Sequence, residues 1–321
     1  MNDAQRQLLV YSIVVPVYNS GAWLDELALR IESVMTSLST AWELVLVNDR
    51  SSDPATWPAI AALAERYSWV RGLDLLYNVG QFRATLCGLE HASGQYVITM
   101  DDDLQHPPEE LPKLIEAMKQ HPAMDCIMGK YMVKQHNAVR NAGSWLLRKI
   151  MNRLYNKPAG LVTTSFRIMP ASFAKTLCLY RISTPQLGPL VISITKRVMN
   201  IPVMHHERQS GTSGYSFFHC VQETFQSVIN GSILPLRWFS AVGFITAVCA
   251  FLIGAYYLLR WLFGGIGVAG FTSLILTISF FSGMLLAGVG VLGEYIGRII
   301  GEVTGLPRYV LRVYTKPNPA E

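Results

Sequence analysis

The stretch YVITMDDDLQHPPEE, from Tyr96 to Glu110, decides the fold. Tyr96–Met100 is rich in β-branched and apolar side chains and reads as a buried strand. It runs directly into three aspartates. Pro108-Glu109-Glu110 then has the composition of a helix's first turn, in a helix expected to reach Lys119. A strand that ends in carboxylates and hands over to a helix marks the carboxyl edge of an open α/β sheet, where ligands of such sheets bind. Three adjacent carboxylates repel one another, which is costly at a sheet edge unless a cation or solvent compensates. In extended geometry Asp101 and Asp103 face one way and Asp102 the other. Two same-side carboxylates with Gln105 nearby suit a hard divalent metal, Mg2+ or Mn2+, whose shell substrate phosphates would complete.

The same pattern recurs on the N-terminal side. Tyr11–Val17 (YSIVVPV), Glu43–Val47 (ELVLV) and Val70–Leu76 read as strands, and Cys126–Met128 as a shorter fifth. Leu24, Leu27, Ile31, Val34 and Leu38 recur at helical spacing, and Pro54–Tyr67 and Gln81–His91 also read as helices. This alternation predicts an α/β fold with a largely parallel sheet and helices on both faces. Polar residues collect at the strand ends: Tyr18-Asn19, Asn48-Asp49 with Ser51-Ser52-Asp53, Asn78-Val79-Gly80-Gln81, then the aspartates. Taken singly, Asp53 caps a helix and Asn78–Gly80 is a turn. Taken together, four polar tips on one edge predict a single cleft.

The C-terminal third is chemically different. Only 15% of the 321 residues are charged, against about a quarter in an ordinary globular domain. Between Trp238 and Gly293 the only charged residue is Arg260. That window predicts two transmembrane helices, about 238–259 and 271–292, joined by a Gly-rich turn. Arg237 precedes them, and Arg298, Arg308, Arg312 and Lys316 follow, which places both ends in the cytoplasm. Phe217, Phe218, Val221, Phe225, Val228 and Ile229 recur at helical spacing just before the first span, as in an amphipathic interfacial helix. Four parts follow: a cytoplasmic domain over 1–215, the interfacial helix over 216–236, the hairpin over 237–293 and a cytoplasmic tail over 294–321. Five cysteines without a CxxC pair read as free thiols in a reducing compartment. The N-terminus carries no cleavable-signal pattern. A net charge of +5 without a Lys/Arg run gives no footprint for nucleic acid.

With these motifs in hand, the chain resembles the family 2 glycosyltransferases of the GT-A fold, and within them the polyprenyl-phosphate glycosyltransferases: dolichyl-phosphate mannose synthases, bacterial undecaprenyl-phosphate glucosyltransferases and aminoarabinose transferases. The resemblance runs from Ser12 to about Tyr314. It rests on VVPVYN at Val14–Asn19, Asp49 followed by SSD, NVGQ at Asn78–Gln81, DDDLQHPPEE at Asp101–Glu110, RQSGTSGYS at Arg208–Ser216 and GEYIGRI at Gly293–Ile299.

The resemblance implies a role for each matching residue. Pro16, Tyr18 and Asn19 would shape the nucleotide pocket, and Asp49 would hydrogen-bond the base. Asn78, Gly80, Gln81 and Asp102 line the same substrate cleft. Asp101, Asp103 and Gln105 match a pattern that binds metal and diphosphate. Arg140 and Ser144, with Arg208, Ser213 and Tyr215, would hold the lipid phosphate. Five departures stand out: Ser20 where members usually carry Glu, NDRSSD at Asn48–Asp53 for DDGSSD, Asp101-Asp102-Asp103 for DAD, Gly214 for the Lys of SKY, and the familiar Phe-Arg in the less familiar setting TTSFR at Thr163–Arg167. The homo-oligomer common in the family, a tetramer, is a further implication, as is a bacterial inner-membrane location with the catalytic domain in the cytoplasm.

The implied enzyme is an inverting hexosyl- or aminopentosyl-type glycosyltransferase. It would pass a sugar from a nucleotide sugar, UDP-linked by resemblance, to a polyprenyl phosphate, for cell-envelope glycan or lipopolysaccharide modification. The acceptor phosphate is already anionic, so no protein nucleophile is needed. Asp101, Asp103, Arg140 and Arg208 would carry the catalysis, the arginines by binding the acceptor phosphate. Two rivals share these features. A processive polysaccharide synthase would carry QxxRW, but Leu234 stands where that Gln belongs before Arg237-Trp238. A non-catalytic membrane scaffold would have no need of the Asp101–Asp103–Gln105 set.

Overall fold

All seven residues of β1 (Tyr11–Val17) are buried, because the strand lies inside the sheet with apolar layers on both sides. Successive side chains feed opposite layers. Ile13, Val15 and Val17 join one core and Val14 the other. This computed structural model describes residues 9–131, 160–180, 187–204, 307–315 and, within 241–303, all but 247, 250–251, 253–255, 257–258, 260–262 and 264–269.

The described strands are β1, β2 (Trp42–Asn48), β3 (Val70–Leu75), β4 (Tyr96–Thr99), β5 (Cys126–Tyr131), β6 (Arg167–Pro170), β7 (Val198–Val203) and β8 (Leu311–Tyr314). They form one sheet in the order β7-β5-β6-β4-β1-β2-β3-β8. β1 pairs in parallel with both β2 and β4, and β2 with β3. The chain thus builds outward from β1 to β3, then returns to the other side of β1 to place β4. Such a reversal opens a crevice at the carboxyl ends of the two strands, the usual ligand position in open α/β sheets. β6 enters antiparallel to β4 and β5, and β8 closes the far edge antiparallel to β3.

Helices α1 (Leu24–Ser37), α2 (Thr56–Arg66) and α4 (Leu111–Gln120) bury Leu27, Ile31, Ile60, Leu63, Leu114 and Ile115 in the first core. Helices α3 (Gln81–His91), α5 (Ala171–Leu179) and α6 (Leu187–Ile194) bury Leu86, Leu177 and Leu190 in the second. A Cβ on Gly88 would stand 2.2 Å from Val14 Cγ1, so α3 lies close enough to β1 that only Gly fits there. Pro108–Glu110 is a 3-10 turn, and α4 proper begins one residue later.

The amino edge of the sheet holds a buried ion pair. Arg71 Nη2 lies 2.8 Å from Glu43 Oε2, both residues nearly sequestered from solvent. Glu43 also accepts bonds from Ser12 Oγ (2.6 Å) and Ser93 N (2.7 Å), and Arg71 Nη1 donates to His91 O (2.6 Å). These partners satisfy the buried charges, the condition under which such a pair is tolerated.

The chain divides into two units, Met1–Tyr215 with Pro307–Glu321, and Ser216–Leu306. In the second, α7 (Phe271–Val303) runs for 33 residues, about 50 Å at 1.5 Å per residue. Its window Phe280–Gly297 has mean hydropathy 1.4 and is long and apolar enough to cross a membrane. Among the described residues it is the one helix of that kind. The helix includes the expected second span and continues through Gly293–Ile299. The interfacial stretch 216–236 lies outside the described residues, and 238–259 is described only in part, helical at 241–246, 248–249, 252, 256 and 259.

Candidate functional site

The polar tips of β1 to β4 meet at the carboxyl edge. β1 ends at Val17, and Asn19 beyond it takes φ +59°, a left-handed turn that Asn tolerates better than most residues. That turn lets the Asn19 side chain reach the tip of β2: Nδ2 donates to Ser52 Oγ (3.0 Å), and Oδ1 accepts from Asp53 N (2.9 Å). Asp53 accepts from Ala55 N (3.0 Å) and Thr56 Oγ1 (2.9 Å) in the turn before α2, whose N-cap is Ala55, so Asp53 is not the cap expected of it.

Asp49 ties the tip of β2 to that of β3. Its Oδ1 accepts from Val79 N (2.7 Å), and its carbonyl accepts from Asn78 Nδ2 (3.0 Å). Burial pushes the Asp49 carboxyl above its ordinary range, and the N–H groups of Val79 and Gly80 pull it part of the way back. Gly80 sits at φ +85°, with open space where a Cβ would project. Its conformation suits Gly, and it leads into the N-terminus of α3.

The three aspartates divide by partner. β4 ends at Thr99, so a bend over 102–106 separates them, not strand alternation. Asp101 accepts 2.5 Å bonds from Gln81 Nε2 and from Ser165 Oγ. Asp102 Oδ2 turns towards β1 and accepts from Tyr18 N (3.1 Å). Burial raises the Asp102 carboxyl to about 6; the Ser20 hydroxyl and the Tyr18 N–H oppose this, and Asp101 and Asp103 add to it. Asp103 Oδ1 accepts from Gln105 N (3.1 Å). Leu104 between them is held at φ +58° with its side chain in the core. A buried Leu in the left-handed region is strained, as backbones at functional sites often are.

Behind Asp101 stands a layer that the sequence reading did not assign. His106 is buried and stacked between Tyr131 and Phe166, at 5.4 Å from each ring. Its Nδ1 accepts from Asp101 N (3.3 Å), and Nε2 meets the Tyr131 hydroxyl. Arg167 is buried beneath Ser165; its Nη1 has no hydrogen-bond partner among the described residues. Burial pushes its guanidinium down, and the Cys126 thiol and Asp101 oppose this. Ser165 and Arg167 belong to the TTSFR run that opens β6, and the pairing of Thr99 with Arg167 brings them beside Asp101. The one sequence signal for them was that run's position before a Phe-Arg pair.

Among the described residues no three His, Cys, Asp or Glu side chains converge on one point. The described residues of this edge offer a divalent ion the carboxylates of Asp101 and Asp103, with Gln105 as a neutral neighbour. An all-oxygen set of this size fits Mg2+ or Mn2+, which take much of their coordination from water and substrate phosphates. Both Asp101 oxygens accept hydrogen bonds from side chains, and Asp103 Oδ1 accepts one from a backbone N–H. Thus Tyr18, Asn19, Asp49, Asn78, Gly80, Gln81, Asp101, Asp102, Asp103 and Gln105 gather on one edge, with Pro16 in β1 beneath them. Arg140, Ser144, Arg208, Ser213 and Tyr215 lie outside the described residues.

Comparison with known proteins agrees with this geometry. A family model described as Glycosyl transferase family 2 matches residues 12–177. The undecaprenyl-phosphate 4-deoxy-4-formamido-L-arabinose transferase of Salmonella choleraesuis is 32% identical over 312 residues, covering 96% of this chain and 95% of that protein. The protein of the same name from Klebsiella pneumoniae matches to the same extent. Among solved structures, glucosyl-3-phosphoglycerate synthase from Mycobacterium tuberculosis, in complex with Mn2+, uridine diphosphate and glucosyl-3-phosphoglycerate, gives a TM-score of 0.50 at 14% identity. That match covers 71% of this chain and 80% of the synthase, and it speaks to fold alone.

Proposed function

This chain belongs to glycosyl transferase family 2 and is a glycosyltransferase; we propose that it moves a sugar from a nucleotide sugar to a polyprenyl phosphate held at a membrane. The observation that carries this reading is the span of the match to the aminoarabinose transferases. It covers 96% of the chain, so it runs through both the polar cleft and the apolar C-terminal third. A processive synthase would share only the former.

The donor binds across the tips of β1, β2 and β3, with Asp49 at the base and the Asn19 turn at the ribose. Its diphosphate lies towards Asp101 and Asp103. Asp103, with Asp101 and Gln105 alongside, would hold a divalent cation, Mg2+ or Mn2+, whose chemistry would be to offset the charge that grows on the leaving nucleotide. Asp101, fixed by Gln81 and Ser165, positions the sugar diphosphate. Asp102 holds the tips of β1 and β4 together. The acceptor oxygen is anionic at neutral pH and attacks the anomeric carbon directly, so the configuration inverts. Arg140 and Arg208, with Ser144, Ser213 and Tyr215, receive the acceptor phosphate through charge-assisted hydrogen bonds.

The apolar C-terminal third provides proximity. The prenyl chain stays in the bilayer while its phosphate lies at the surface, and a cleft anchored at that height converts an encounter in three dimensions into one in two. The proposal includes the hairpin over 238–259 and 271–292, the interfacial helix over 216–236, a bacterial inner-membrane location with a cytoplasmic cleft, and assembly as a homo-oligomer. A UDP-linked donor is preferred, with an amino- or formamido-pentose as the first sugar to try. The test supplies the detergent-solubilised protein with undecaprenyl phosphate, Mg2+ or Mn2+, and a panel of radiolabelled nucleotide sugars. Transfer of label to lipid from one donor supports the reading and names the sugar. No transfer from any of them, under conditions in which an aminoarabinose transferase turns over, overturns it.

A further inference from the structure

The donor cleft is connected to the far edge of the sheet by a line of hydrogen bonds. It begins on β8, which lies beyond α7 in sequence and pairs with β3. Arg312 Nε on β8 donates to Asp74 Oδ2 at 2.5 Å. Asp74 is fully buried in β3, and its other oxygen accepts from Asn48 Nδ2 at 2.6 Å. Asn48, the last residue of β2, accepts through Oδ1 from Ser51 Oγ (2.6 Å) and Ser51 N (3.2 Å). Ser51 Oγ in turn accepts from Asn19 N at 3.0 Å. The line therefore runs from Arg312 to the turn after β2 that carries Asp49, and across it to Asn19 beyond the end of β1.

Each link depends on the one before it. A carboxylate at the centre of a sheet needs a counter-charge and filled lone pairs. Arg312 supplies the charge, and Asn48 fills the remaining oxygen with its amide N–H. That donation fixes which way the Asn48 amide points, leaving its oxygen towards Ser51. Without Arg312, the buried Asp74 carboxylate has lost its counter-charge, and the reason for the Asn48 orientation is lost with it. The same geometry accounts for Asn at position 48. An Asp there would set a second carboxylate 2.6 Å from Asp74, where an amide now donates.

We propose that Arg312 is a positioning residue for donor recognition, acting through Asp74, Asn48 and Ser51 on the turn of Asp49 and, through Ser51, on Asn19. The segment that follows the membrane helix is thereby a working part of the donor pocket. This rests on the reading of the cleft as a nucleotide-sugar site, so the experiment reads the turn by two independent means.

The full-length protein is compared with Arg312→Gln, Arg312→Lys and Asn48→Asp. UDP affinity is measured by calorimetry, donor KM and kcat by turnover, and amide exchange over residues 48–53 and, as a fold control, 11–17. Arg312→Gln is expected to weaken UDP and raise donor KM about tenfold, the scale of one charge-assisted hydrogen bond, with kcat within about twofold. Exchange over 48–53 accelerates and exchange over 11–17 does not. Arg312→Lys keeps the charge without the fork and falls between wild type and Arg312→Gln. Asn48→Asp leaves the β8 pairing in place and weakens UDP as much as Arg312→Gln does. Unchanged UDP affinity in Asn48→Asp overturns the proposal even if Arg312→Gln does not fold. Equal acceleration over 48–53 and 11–17 in Arg312→Gln overturns it too, since that is general loosening of an edge. Wild type that does not bind UDP, with exchange over 48–53 still answering to Arg312, refutes the nucleotide reading and leaves the relay standing.

Discussion

The backbone N–H of Tyr18 donates to Asp102 Oδ2 at 3.1 Å, joining the end of β1 to the end of β4 across the point where the sheet reverses direction. The Ser20 hydroxyl completes the arrangement, donating to the Tyr18 carbonyl at 3.1 Å and facing Asp102. Positions 20 and 102 are two of the departures from the family pattern, which usually has Glu at the first and Ala at the second. Against that pattern, the crevice carries a carboxylate on its β4 side and a small hydroxyl on its β1 side, an exchange between two adjacent positions.

A double-mutant cycle tests that exchange. Ser20→Glu alone crowds a nearly buried position and sets a second carboxylate against Asp102. Asp102→Ala alone leaves the Tyr18 N–H without its acceptor. Each single change should lower the unfolding midpoint. The double variant should recover part of the loss, with an interaction energy of about 1–3 kcal/mol, the range for residues in contact. Losses that simply add would show that the two positions are independent.

Asp102 also sets a pH dependence. Its carboxyl is raised in the folded state from the ordinary 3.8 to about 6, so the folded protein holds a proton there that the unfolded chain has released. Stability from this group is complete below about pH 4 and is lost as pH rises through 6. A shift of this size corresponds to roughly 3 kcal/mol. With chelator present, Asp102→Asn should match wild type near pH 4 and exceed its urea midpoint above pH 6.5. An unchanged difference between the two across that range refutes the raised carboxyl.

The strands and helices from Tyr11 to Gln120 were legible because each carries its own period and its own polar tip. β8 was not. It is four residues long, and its partner β3 lies more than 200 residues earlier in the chain, so nothing local marks the pairing. Ser165 was hidden for a similar reason: only the antiparallel register of β6 against β4 carries it to Asp101. The aspartates were found as a group, but their division of labour comes from the bend after Thr99. Strand alternation predicted that Asp102 turns away from its neighbours, and the bend is what delivers it to Tyr18.

Gln81 and Ser165 hold the two oxygens of one carboxylate. Removing either leaves Asp101 still tethered by the other. Gln81→Ala and Ser165→Ala should each lower kcat/KM by about three- to tenfold, on the scale of one hydrogen bond. The double variant should lose more than the product of the two, because each of these side chains holds Asp101 while the other is absent. Strict multiplicativity would place one of these side chains on a different task.

Two left-handed residues near the site separate strain from packing. Arg50 has φ +52° and an exposed side chain, at a turn position where the family pattern has Gly. Arg50→Gly relieves that conformation and should raise stability by about 1 kcal/mol. Leu104 has φ +58°, but its side chain is buried. Leu104→Gly gains the same relief and forfeits a core side chain worth about 2–5 kcal/mol, so the net change is destabilising. Thermal midpoints that move in the same direction for both would refute this ordering.

The Arg71–Glu43 pair lies at the opposite end of the sheet from the aspartates, on the amino edge. Glu43→Gln leaves the Arg71 guanidinium buried without its counter-charge, which costs about 3–5 kcal/mol when a sequestered pair loses one member. The hydrogen bonds that Glu43 accepts come from Ser12, Ser93 and Arg71 at that same amino edge. The variant should therefore unfold at much lower denaturant while keeping wild-type donor KM at a temperature where it is fully folded. A raised KM under those conditions would mean that strain at the amino edge travels along β1 and β2 to the cleft. The tight packing of Gly88 on Val14 makes α3 the element through which it would pass. Amide exchange across α3 distinguishes the two outcomes.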